Sequence, residues 1–466
     1  MSTPSNVLVL FSDEHRPDAL GCAGHDHVET PTLDRIAATG TRFTNAYCPS
    51  PLCAPCRASF STGQYVHEIG AWDNASSYSG EPETWGEHFA NHGIHTATVG
   101  KLDFQPGVQG FPEQLMPSYR RSPDVNGLER DPPNVRASAR ERIVNAGPTD
   151  EPAGHERGDA ERTERAIAWL EDRAADGADG WVLSIHYILP HFPLTAEREY
   201  YDRYADVEDL PFDYPAGDEH PILEELRDHF DGRDVDEETL KRTRRAYYAL
   251  CERLDEEIRQ ILDALDRLGL AEDTLVIYTS DHGEPLGDHE TWWKCNMYDP
   301  SVGIPLIASG PGVESSTIDA PVSLLDLIPT MADVLEIPHE QTWRGVSQWS
   351  VLRGERPPDR TRAVFSEYHA HGTSRGAFMV RAGRYKYVYY PDHPEQLFDL
   401  EDDPRELRNL ADDPAYKPVT RRLHRRLRAR VDPDPDTVDE QARADQRRRR
   451  ERPVEEWWGV GGAESD

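Results

Sequence analysis

A compact run of reactive and turn-forming residues lies near the start of the chain, where positions 53–57 read Cys-Ala-Pro-Cys-Arg. Cys53 is a small nucleophile, and Pro55 fixes the local turn because its ring locks the backbone angle φ. Arg57 brings a permanent, forked positive charge beside the cysteine. A guanidinium next to a nucleophile suits attack on an anionic ester, whereas the same combination contributes little to packing. The run therefore predicts a nucleophilic site for an oxyanion ester.

The cysteines also allow two other interpretations. Cys48, Cys53 and Cys56 have the C-x4-C-x2-C spacing of a plant-type iron–sulfur site. Cys53 and Cys56 alone form a C-x-x-C pair, which is typical of a redox pair or of half a zinc site. Both alternatives leave the acidic and histidine motifs further along the chain without a purpose. We therefore rank them below the nucleophile.

Composition and charge limit the classes of function. The chain has 466 residues, enough for a main domain and a smaller one. It carries 86 acidic and 51 basic residues, only five of them lysine, for a net charge of −35. Such an acidic surface would repel itself unless it were screened, which predicts a halophilic source. The same charge argues against nucleic acid as a partner.

Hydropathy predicts a soluble, cytoplasmic protein without a membrane partner. The first apolar run, residues 7–11, is too short for a signal peptide and has no basic flank. No run approaches the length of a transmembrane helix. Six cysteines in a chain of this length do not form a disulfide framework.

Predicted buried strands alternate with helices, and four of these strands end in polar residues. The strands cover residues 6–11, 96–100, 181–187 and 274–280, and the polar residues after them include Asp13, Lys101, His191 and Asp281. In α/β proteins, ligand sites lie at the carboxyl ends of parallel strands. We therefore predict a doubly wound, mostly parallel α/β sheet flanked by helices, with its site at this edge.

The pattern divides the chain into three parts. Residues 1–360 are predicted to form the catalytic α/β domain, within which residues 102–158 lack periodicity and form an insertion or lid. Short alternating strands predict a smaller C-terminal α+β subdomain with a short antiparallel sheet over residues 361–435. Residues 436–466, which include a run of arginines, are predicted to be a charged tail.

Together these motifs resemble the formylglycine-dependent sulfatases of the alkaline phosphatase superfamily. The run at 53–57, with Thr62-Gly63 after it, is similar to the family signature C-x-P-x-R and its downstream T-G. Position 56 is usually Ser or Ala, so Cys56 departs from the pattern. Other stretches match in the family's order: Ser12-Asp13-Glu14-His15, Gly100-Lys101, Pro190-His191-Phe192-Pro193, Ser280-Asp281-His282-Gly283 and Gly383-Arg384-Tyr385-Lys386.

The resemblance implies a modified cysteine and a metal. In that family the signature cysteine is oxidised to formylglycine (3-oxoalanine), so a maturation enzyme is an expected partner of Cys53. The resemblance implies a divalent metal, usually Ca²⁺, with Mn²⁺ or Mg²⁺ as alternatives, held by Asp13, Cys53, Asp281 and His282. Glu14 is a further candidate ligand, because many sulfatases have two Asp at these positions.

The resemblance also assigns catalytic roles. Arg57 would stabilise the alkoxide of the aldehyde hydrate, while Lys101 and Lys294 would neutralise the sulfate oxygens. His191 would protonate or stabilise the leaving alcohol, and Asp103, where many members have His, would be the base for sulfate release. Three further residues are expected to bind substrate: Asn74, His371 and Arg375.

The predicted function is a sulfatase that hydrolyses an organic sulfate monoester, such as that of a small molecule or a sulfated carbohydrate. A phosphonate monoester hydrolase or phosphodiesterase is the alternative enzyme, since such relatives share the nucleophile and the Asp-His pair. A catalytically silent, anion-binding relative is a third hypothesis, against which the complete set of site residues argues. The sequence leaves the oligomeric state open.

Overall fold

A computed structural model describes residues 3–118, 120, 122–130, 133–177, 179–212 and 220–458. The described residues form fifteen strands: β1 Asn6–Asp13, β2 Thr41–Tyr47, β3 His95–Lys101, β4 Glu113–Ser118, β5 Gly147–Thr149, β6 Trp181–Pro190, β7 Thr195–Glu197, β8 Thr274–Ser280, β9 Gly303–Ser309, β10 Ser316–Ile318, β11 Val322–Ser323, β12 Ala363–Tyr368, β13 Ala377–Ala382, β14 Tyr385–Tyr389 and β15 Gln396–Asp399.

The same residues form fourteen α-helices: α1 Pro31–Thr39, α2 Cys53–Thr62, α3 Val66–Ile69, α4 Trp85–Asn91, α5 Ala137–Val144, α6 Gly154–Asp176, α7 Arg198–Tyr201, α8 Pro221–Phe230, α9 Glu237–Arg267, α10 Asp299–Val302, α11 Leu327–Val334, α12 Trp349–Leu352, α13 Lys417–Arg428 and α14 Pro435–Arg450. Local sequence explains several starts. Pro31 opens α1, where its missing N–H costs nothing. The carboxylate of Asp236 caps α9 by accepting from the backbone N–H of Thr239 at 3.0 Å.

The large sheet has the strand order β10-β2-β9-β8-β1-β6-β3-β4, and β11 pairs with β2. β1 lies between β8 and β6 and pairs in parallel with both. β9 is antiparallel to β8 and to β2, so it runs against all the other strands of this sheet. Because β1, β6 and β8 are buried along almost their whole length, their sequences are near-continuous apolar runs.

Helices cover both faces of this sheet. On one face, Phe11 of β1 lies 5.1 Å from Phe60 of α2 between ring centroids. On the other face, Trp181 of β6 contacts Trp169 of α6 at 5.5 Å, and α6 packs against the long helix α9. These two layers place the apolar core around the central strands.

The C-terminal part forms its own antiparallel sheet in the order β12-β13-β14-β15. Helices α13 and α14 pack on it through a second apolar cluster that includes Phe378, Leu423, Leu427 and Val438. The predicted mostly parallel α/β sheet with flanking helices and the small antiparallel sheet are therefore confirmed.

Two segments have more structure than their sequences indicate. Residues 102–158, predicted as an insertion or lid, contribute β4 as an edge strand of the large sheet, and they contain α5. Residues 436–450, in the predicted charged tail, belong to α14, in which the Asp439 carboxylate accepts from the backbone N–H of Gly376 at 2.7 Å. Among the residues that the structure describes, no helix combines the length and apolar character needed to cross a membrane.

Candidate active site

Four neighbouring strands bring the predicted polar residues to one edge of the sheet. Asp13 is the last residue of β1, and Lys101 is the last residue of β3. His191 follows β6, and Asp281 follows β8. Because β8, β1, β6 and β3 are adjacent and parallel, their carboxyl ends lie side by side.

Two glycines let the backbone pass closely beside these residues. A Cβ on Gly283 would lie 2.1 Å from the Pro300 carbonyl oxygen. A Cβ on Gly100 would lie 2.3 Å from the His186 carbonyl oxygen, and Gly100 also has a φ of 98°. Larger side chains at either position would displace the neighbouring Lys101 or the Asp281-His282 pair.

Helix α2 presents Cys53 to this edge. Cys53 is the first residue of the helix, and all ten residues of α2 are buried. The positive end of the helix dipole therefore faces the reactive position and favours negative charge there. Burial, together with the charge of Asp13, raises the pKa of the Cys53 thiol to about 12. An unmodified Cys53 is consequently a thiol and a weak nucleophile at neutral pH.

Arg57, one turn further along α2, bridges the two carboxylates of the site. Its Nη2 donates to Oδ2 of Asp13 at 3.0 Å, and its Nε donates to Oδ2 of Asp281 at 2.9 Å. Burial alone would raise the pKa of Asp13, but the positive charges of Lys101, His191 and Arg57 hold it well below its usual range. Arg57 thus occupies only the Oδ2 atoms of both carboxylates, and Oδ1 of Asp281 accepts from the backbone N–H of Glu14 at 3.1 Å.

The two Oδ1 atoms lie near His282. Its Nε2 lies 3.9 Å from Oδ1 of Asp13, 3.6 Å from Oδ1 of Asp281 and 3.2 Å from Sγ of Cys53. Its Nδ1 lies 3.0 Å from the Gly283 carbonyl oxygen and must donate to it, which fixes the ring with Nε2 toward the carboxylates. Ligand atoms of these four residues lie within 4.8 Å of one another. Two carboxylate oxygens and a neutral imidazole fit a divalent cation.

Glu14 points into the same region, but it belongs to a different group. Its Oε2 lies 2.7 Å from Nζ of Lys294 and 3.1 Å from Nε2 of His191. Its Oε1 is buried and has no hydrogen-bond partner among the described residues. Glu14 groups with Asp13 and His191 as potential ligands, apart from Asp281 and His282. Its φ of 64° is unusual for a residue with a side chain and marks local backbone strain.

Lys101 lies at the Oδ2 atom of Asp13, and Asp103 lies beside Lys101. Lys101 forms an ion pair with Asp13, and its Nζ lies 3.5 Å from Oδ2 of Asp103. The same Oδ2 lies 3.4 Å from Nη2 of Arg120. Although burial would raise the pKa of Asp103, the charges of Lys101, Arg120 and Arg57 lower it. Asp103 is thus well placed to orient Lys101, and its side chain does not line the adjoining cavity.

A cavity of about 180 Å³ opens above Cys53. Six of the predicted site residues line it: Cys53, Asn74, Lys101, His191, Lys294 and His371. Oδ1 of Asn74 accepts from the backbone N–H of Ala54 at 3.2 Å, so Asn74 also anchors the start of α2. Arg375 does not line the cavity, because its guanidinium pairs with Asp392 at 3.1 Å.

Sequence reasoning missed part of the cavity wall. Together with Leu52, Asp124 and Cys295, three arginines and three aromatic residues also line it: Arg120, Arg136, Arg142, Phe192, Phe230 and Trp293. The arginines come from the aperiodic segment 102–158, where only the local excess of arginine could have drawn attention to them. Adjacent tryptophans such as Trp292-Trp293 are more typical of core packing, yet Trp293 faces the cavity.

The three cysteines of the C-x4-C-x2-C spacing do not form one group of metal ligands among the described residues. Sγ of Cys56 donates to the Asp281 carbonyl oxygen at 2.9 Å, and the side chains of Cys48 and Cys56 contact each other. In the part of the chain that the structure describes, the groups of potential metal ligands include Cys53 but neither Cys48 nor Cys56. Buried carboxylates, a histidine and several cations around one nucleophilic position define a site for hydrolysis of anionic esters.

Comparisons with known proteins agree with this site. The family model described as Sulfatase matches residues 5–337, and that described as N-sulphoglucosamine sulphohydrolase, C-terminal, matches residues 287–432. The chain is 32% identical over 431 residues to a choline-sulfatase of Rhizobium meliloti (strain 1021), covering 88% of this chain and 83% of that protein. It is 30% identical over 450 residues to arylsulfatase K of Bos taurus, covering 91% and 81%.

A solved structure extends the comparison. The phosphonate monoester hydrolase SpPMH from Silicibacter pomeroyi has a TM-score of 0.75 and 26% identity, covering 92% of this chain and 96% of that chain. The chain belongs to the sulfatase family. It is a sulfuric ester hydrolase, and its family generally uses a metal and formylglycine.

Proposed function

We propose that this protein hydrolyses an organic sulfate monoester through a formylglycine formed from Cys53, with a divalent cation bound beside it. The convergence of Cys53, Asp13, Asp281 and His282 within 4.8 Å carries the proposal. The relatives named choline-sulfatase and arylsulfatase K support a sulfate ester as substrate. We include the sulfate ester of a carbohydrate in this class.

Formylglycine 53 would supply a nucleophilic hydroxyl, and a divalent cation, with Ca²⁺ as first choice and Mn²⁺ or Mg²⁺ as alternatives, would supply positive charge beside that hydroxyl. The orientation of Oδ1 of Asp13, Oδ1 of Asp281 and Nε2 of His282 supports these three residues as the cation's ligands. Glu14 remains a further candidate, for which its unpartnered Oε1 is the supporting observation. A formylglycine-generating enzyme would be required as a maturation partner.

The cations of the site bind and orient the sulfate. Arg57 fixes both carboxylates and keeps its charge next to position 53: burial would lower its pKa, but the charges of Asp281 and Asp13 raise it. Lys101 and Lys294 both line the cavity and would neutralise the sulfate oxygens. Removing one such donor typically lowers the rate by about 10²–10³.

His191 would protonate the leaving alcohol. Its Nδ1 lies 2.6 Å from the Phe192 carbonyl oxygen and donates to it, which directs Nε2 toward Glu14 and Asp13. Nε2 is therefore the atom that would face the leaving oxygen and protonate or stabilise the departing alcohol. Burial and the charge of Lys294 lower the pKa of His191 well below its usual range, so Nε2 would have to gain a proton before it could act as the acid. Asp103 remains our proposed base for sulfate release, supported by its position two residues after Lys101. Asn74 and His371 would contact the substrate. Arg375, which pairs with Asp392 on the surface of the subdomain, would affect substrate binding without contacting the substrate in the cavity.

Hydrolysis of a phosphonate monoester is the second candidate. The 26% identity and TM-score of 0.75 to a phosphonate monoester hydrolase favour this alternative. Sulfate monoesters carry one negative charge and phosphonate monoesters also carry one, so the cations Lys101 and Lys294 do not discriminate between them. Relative kcat/KM on para-nitrophenyl sulfate and para-nitrophenyl phenylphosphonate separates the two functions.

Mass spectrometry of the peptide that contains Cys53 tests the nucleophile. We expect a loss of mass equal to the change from CH₂–SH to CHO in protein from its native host. Kinetics on the two para-nitrophenyl esters follow with the same preparation, and Cys53→Ala serves as the inactive control. An active protein with an unmodified thiol at position 53 would exclude the proposed nucleophile, and preference for the phosphonate ester would exclude the sulfatase.

A further inference from the structure

The cavity holds more positive charge than a sulfate group requires. Lys101 and Lys294 already face the position of the sulfate, and Arg120, Arg136 and Arg142 add three further guanidinium groups. Arg120 lies 3.4 Å from a carboxylate oxygen of Asp103, and Arg136 lies 2.5 Å from one of Asp124. These two arginines are therefore paired with acids at the wall of the cavity.

Arg142 lacks such a partner. Among the described residues, no carboxylate oxygen lies within 4.0 Å of its guanidinium, which contacts the ring of Phe192 at 4.2 Å from the centroid. Burial and the nearby charge of Arg136 lower its pKa, and the carboxylates of Glu14 and Asp124, both more than 4.0 Å away, only partly offset this. An anion bound at this place would relieve the repulsion between the two guanidinium groups.

The location of Arg142 relates it to the leaving group. Phe192, on which Arg142 lies, stacks against His191 with 4.0 Å between ring centroids. In the proposed function His191 is next to the leaving oxygen, so Arg142 lies on the side of the departing alcohol. Lys101 and Arg120, in contrast, lie with Asp13 and Asp103 on the side of the sulfate.

A cationic leaving group does not fit this wall. A quaternary ammonium is commonly bound over aromatic faces. The ring of Phe192 already contacts two cations, since Nζ of Lys294 lies 4.9 Å from its centroid in addition to Arg142. A third positive charge would be repelled by both.

We propose that the leaving alcohol of the natural substrate carries a second anionic group, a carboxylate or another sulfate, which Arg142 binds. This inference rests on the proposed sulfatase function and narrows its substrate class. The cavity of about 180 Å³ is smaller than the roughly 300–1,000 Å³ of pockets for drug-sized ligands, so it suits an acidic alcohol of one ring.

Matched substrates test this specificity on the full-length, modified enzyme at one fixed salt concentration. Para-carboxyphenyl sulfate is compared with its neutral isostere para-carbamoylphenyl sulfate, with hydroquinone bis-sulfate and with choline sulfate. We expect kcat/KM for at least one of the two anionic substrates to exceed that for the carbamoyl ester by about tenfold or more, as for a charge-assisted hydrogen bond. Choline sulfate should be the poorest of the four. Whichever anionic ester is preferred distinguishes a carboxylate from a second sulfate.

Variants of helix α5 assign the effect to Arg142. Arg142→Gln should reduce the ratio of anionic to neutral kcat/KM to near one, and Arg142→Lys should keep part of it. Arg140→Gln is the matched control, because Arg140 lies on the same helix and donates to the carbonyl oxygen of Arg233 at 2.7 Å, outside the cavity. Its ratio should equal that of the wild type.

Three results would overturn the inference: a wild-type ratio near one, a ratio preserved in Arg142→Gln, or a preference for choline sulfate. If Arg142→Gln fails to fold, the ratio of anionic to neutral kcat/KM in the wild type and in Arg142→Lys still tests the inference. Failure of the proposed function is recognised separately. In that case protein with the aldehyde at position 53 would not hydrolyse para-nitrophenyl sulfate at all.

Discussion

Replacing Arg57 by lysine tests the bridge between the two site carboxylates. The guanidinium holds Asp13 and Asp281 through different nitrogens, at 3.0 and 2.9 Å. A lysine ammonium is a single point and cannot occupy both positions. At least one charge-assisted hydrogen bond is lost in a fully buried place, which costs about 1.5–3 kcal/mol of folding free energy. Because Arg57 also stabilises charge at position 53, we expect kcat to fall by about 10²–10³.

Arg16→Lys is the matched control for this prediction. Arg16 is also buried and bridges two carboxylates, those of Asp18 and Asp288, at 2.5 and 2.9 Å, but it does not line the cavity above Cys53. Both variants should lower the free energy of unfolding measured by denaturant titration, while only Arg57→Lys should lower kcat strongly. Equal losses of kcat in the two variants, or no loss in Arg57→Lys, would refute a special role for Arg57.

Three further predictions concern the base, the metal and pH. If Asp103 is the base, Asp103→Asn lowers kcat by about 10²–10⁴. It also makes kcat independent of the leaving group, because sulfate release becomes rate-limiting. An unchanged kcat would show that Asp103 is not the base. Removal of metal by a chelator should lower both the melting temperature and the activity. Added Ca²⁺ should restore both in the wild type but not in Asp281→Asn. A melting temperature that does not change with metal would exclude the proposed metal site. Burial would lower the pKa of His67, but the carboxylate of Glu367, 2.9 Å away, raises it above its usual value. The ion pair therefore stabilises the fold fully below the unfolded histidine's pKa of about 6.5, and this stabilisation is lost as pH rises through the folded pKa. His67→Gln should therefore cost more unfolding free energy at acidic than at alkaline pH, and an equal cost at both would contradict the ion pair.

The central strands could be predicted because burial on both faces leaves a continuous apolar run. The sequence predicts a strand over residues 274–280, which form β8 with the same bounds. β4 could not be recognised in the same way. It is an edge strand, half-buried along its length, with a proline near its end, so neither alternation nor a run of apolar residues marks it.

The polar residues at the strand ends could be predicted for a related reason. Asp13, Lys101 and Asp281 adjoin strands whose parallel order brings their ends together, so local sequence carries their positions. Arg142 reaches the cavity only because α5 packs near the site in three dimensions. Its helix lies in an aperiodic segment, and no local pattern distinguishes it from Arg140 two residues earlier.

Overall charge and local charge oppose each other in this molecule. A net charge of −35 repels an anionic sulfate ester at long range, whereas Lys101, Lys294 and Arg142 attract it inside the cavity. Salt weakens these two forces unequally. At about 1 M salt the Debye length is about 3 Å, so repulsion from the distant surface is largely screened, while partly buried contacts within the cavity are screened much less. In concentrated salt, the attraction of the substrate to the few cations that line the site therefore outweighs its repulsion by the surface. Under this condition an acidic surface is compatible with an anionic substrate.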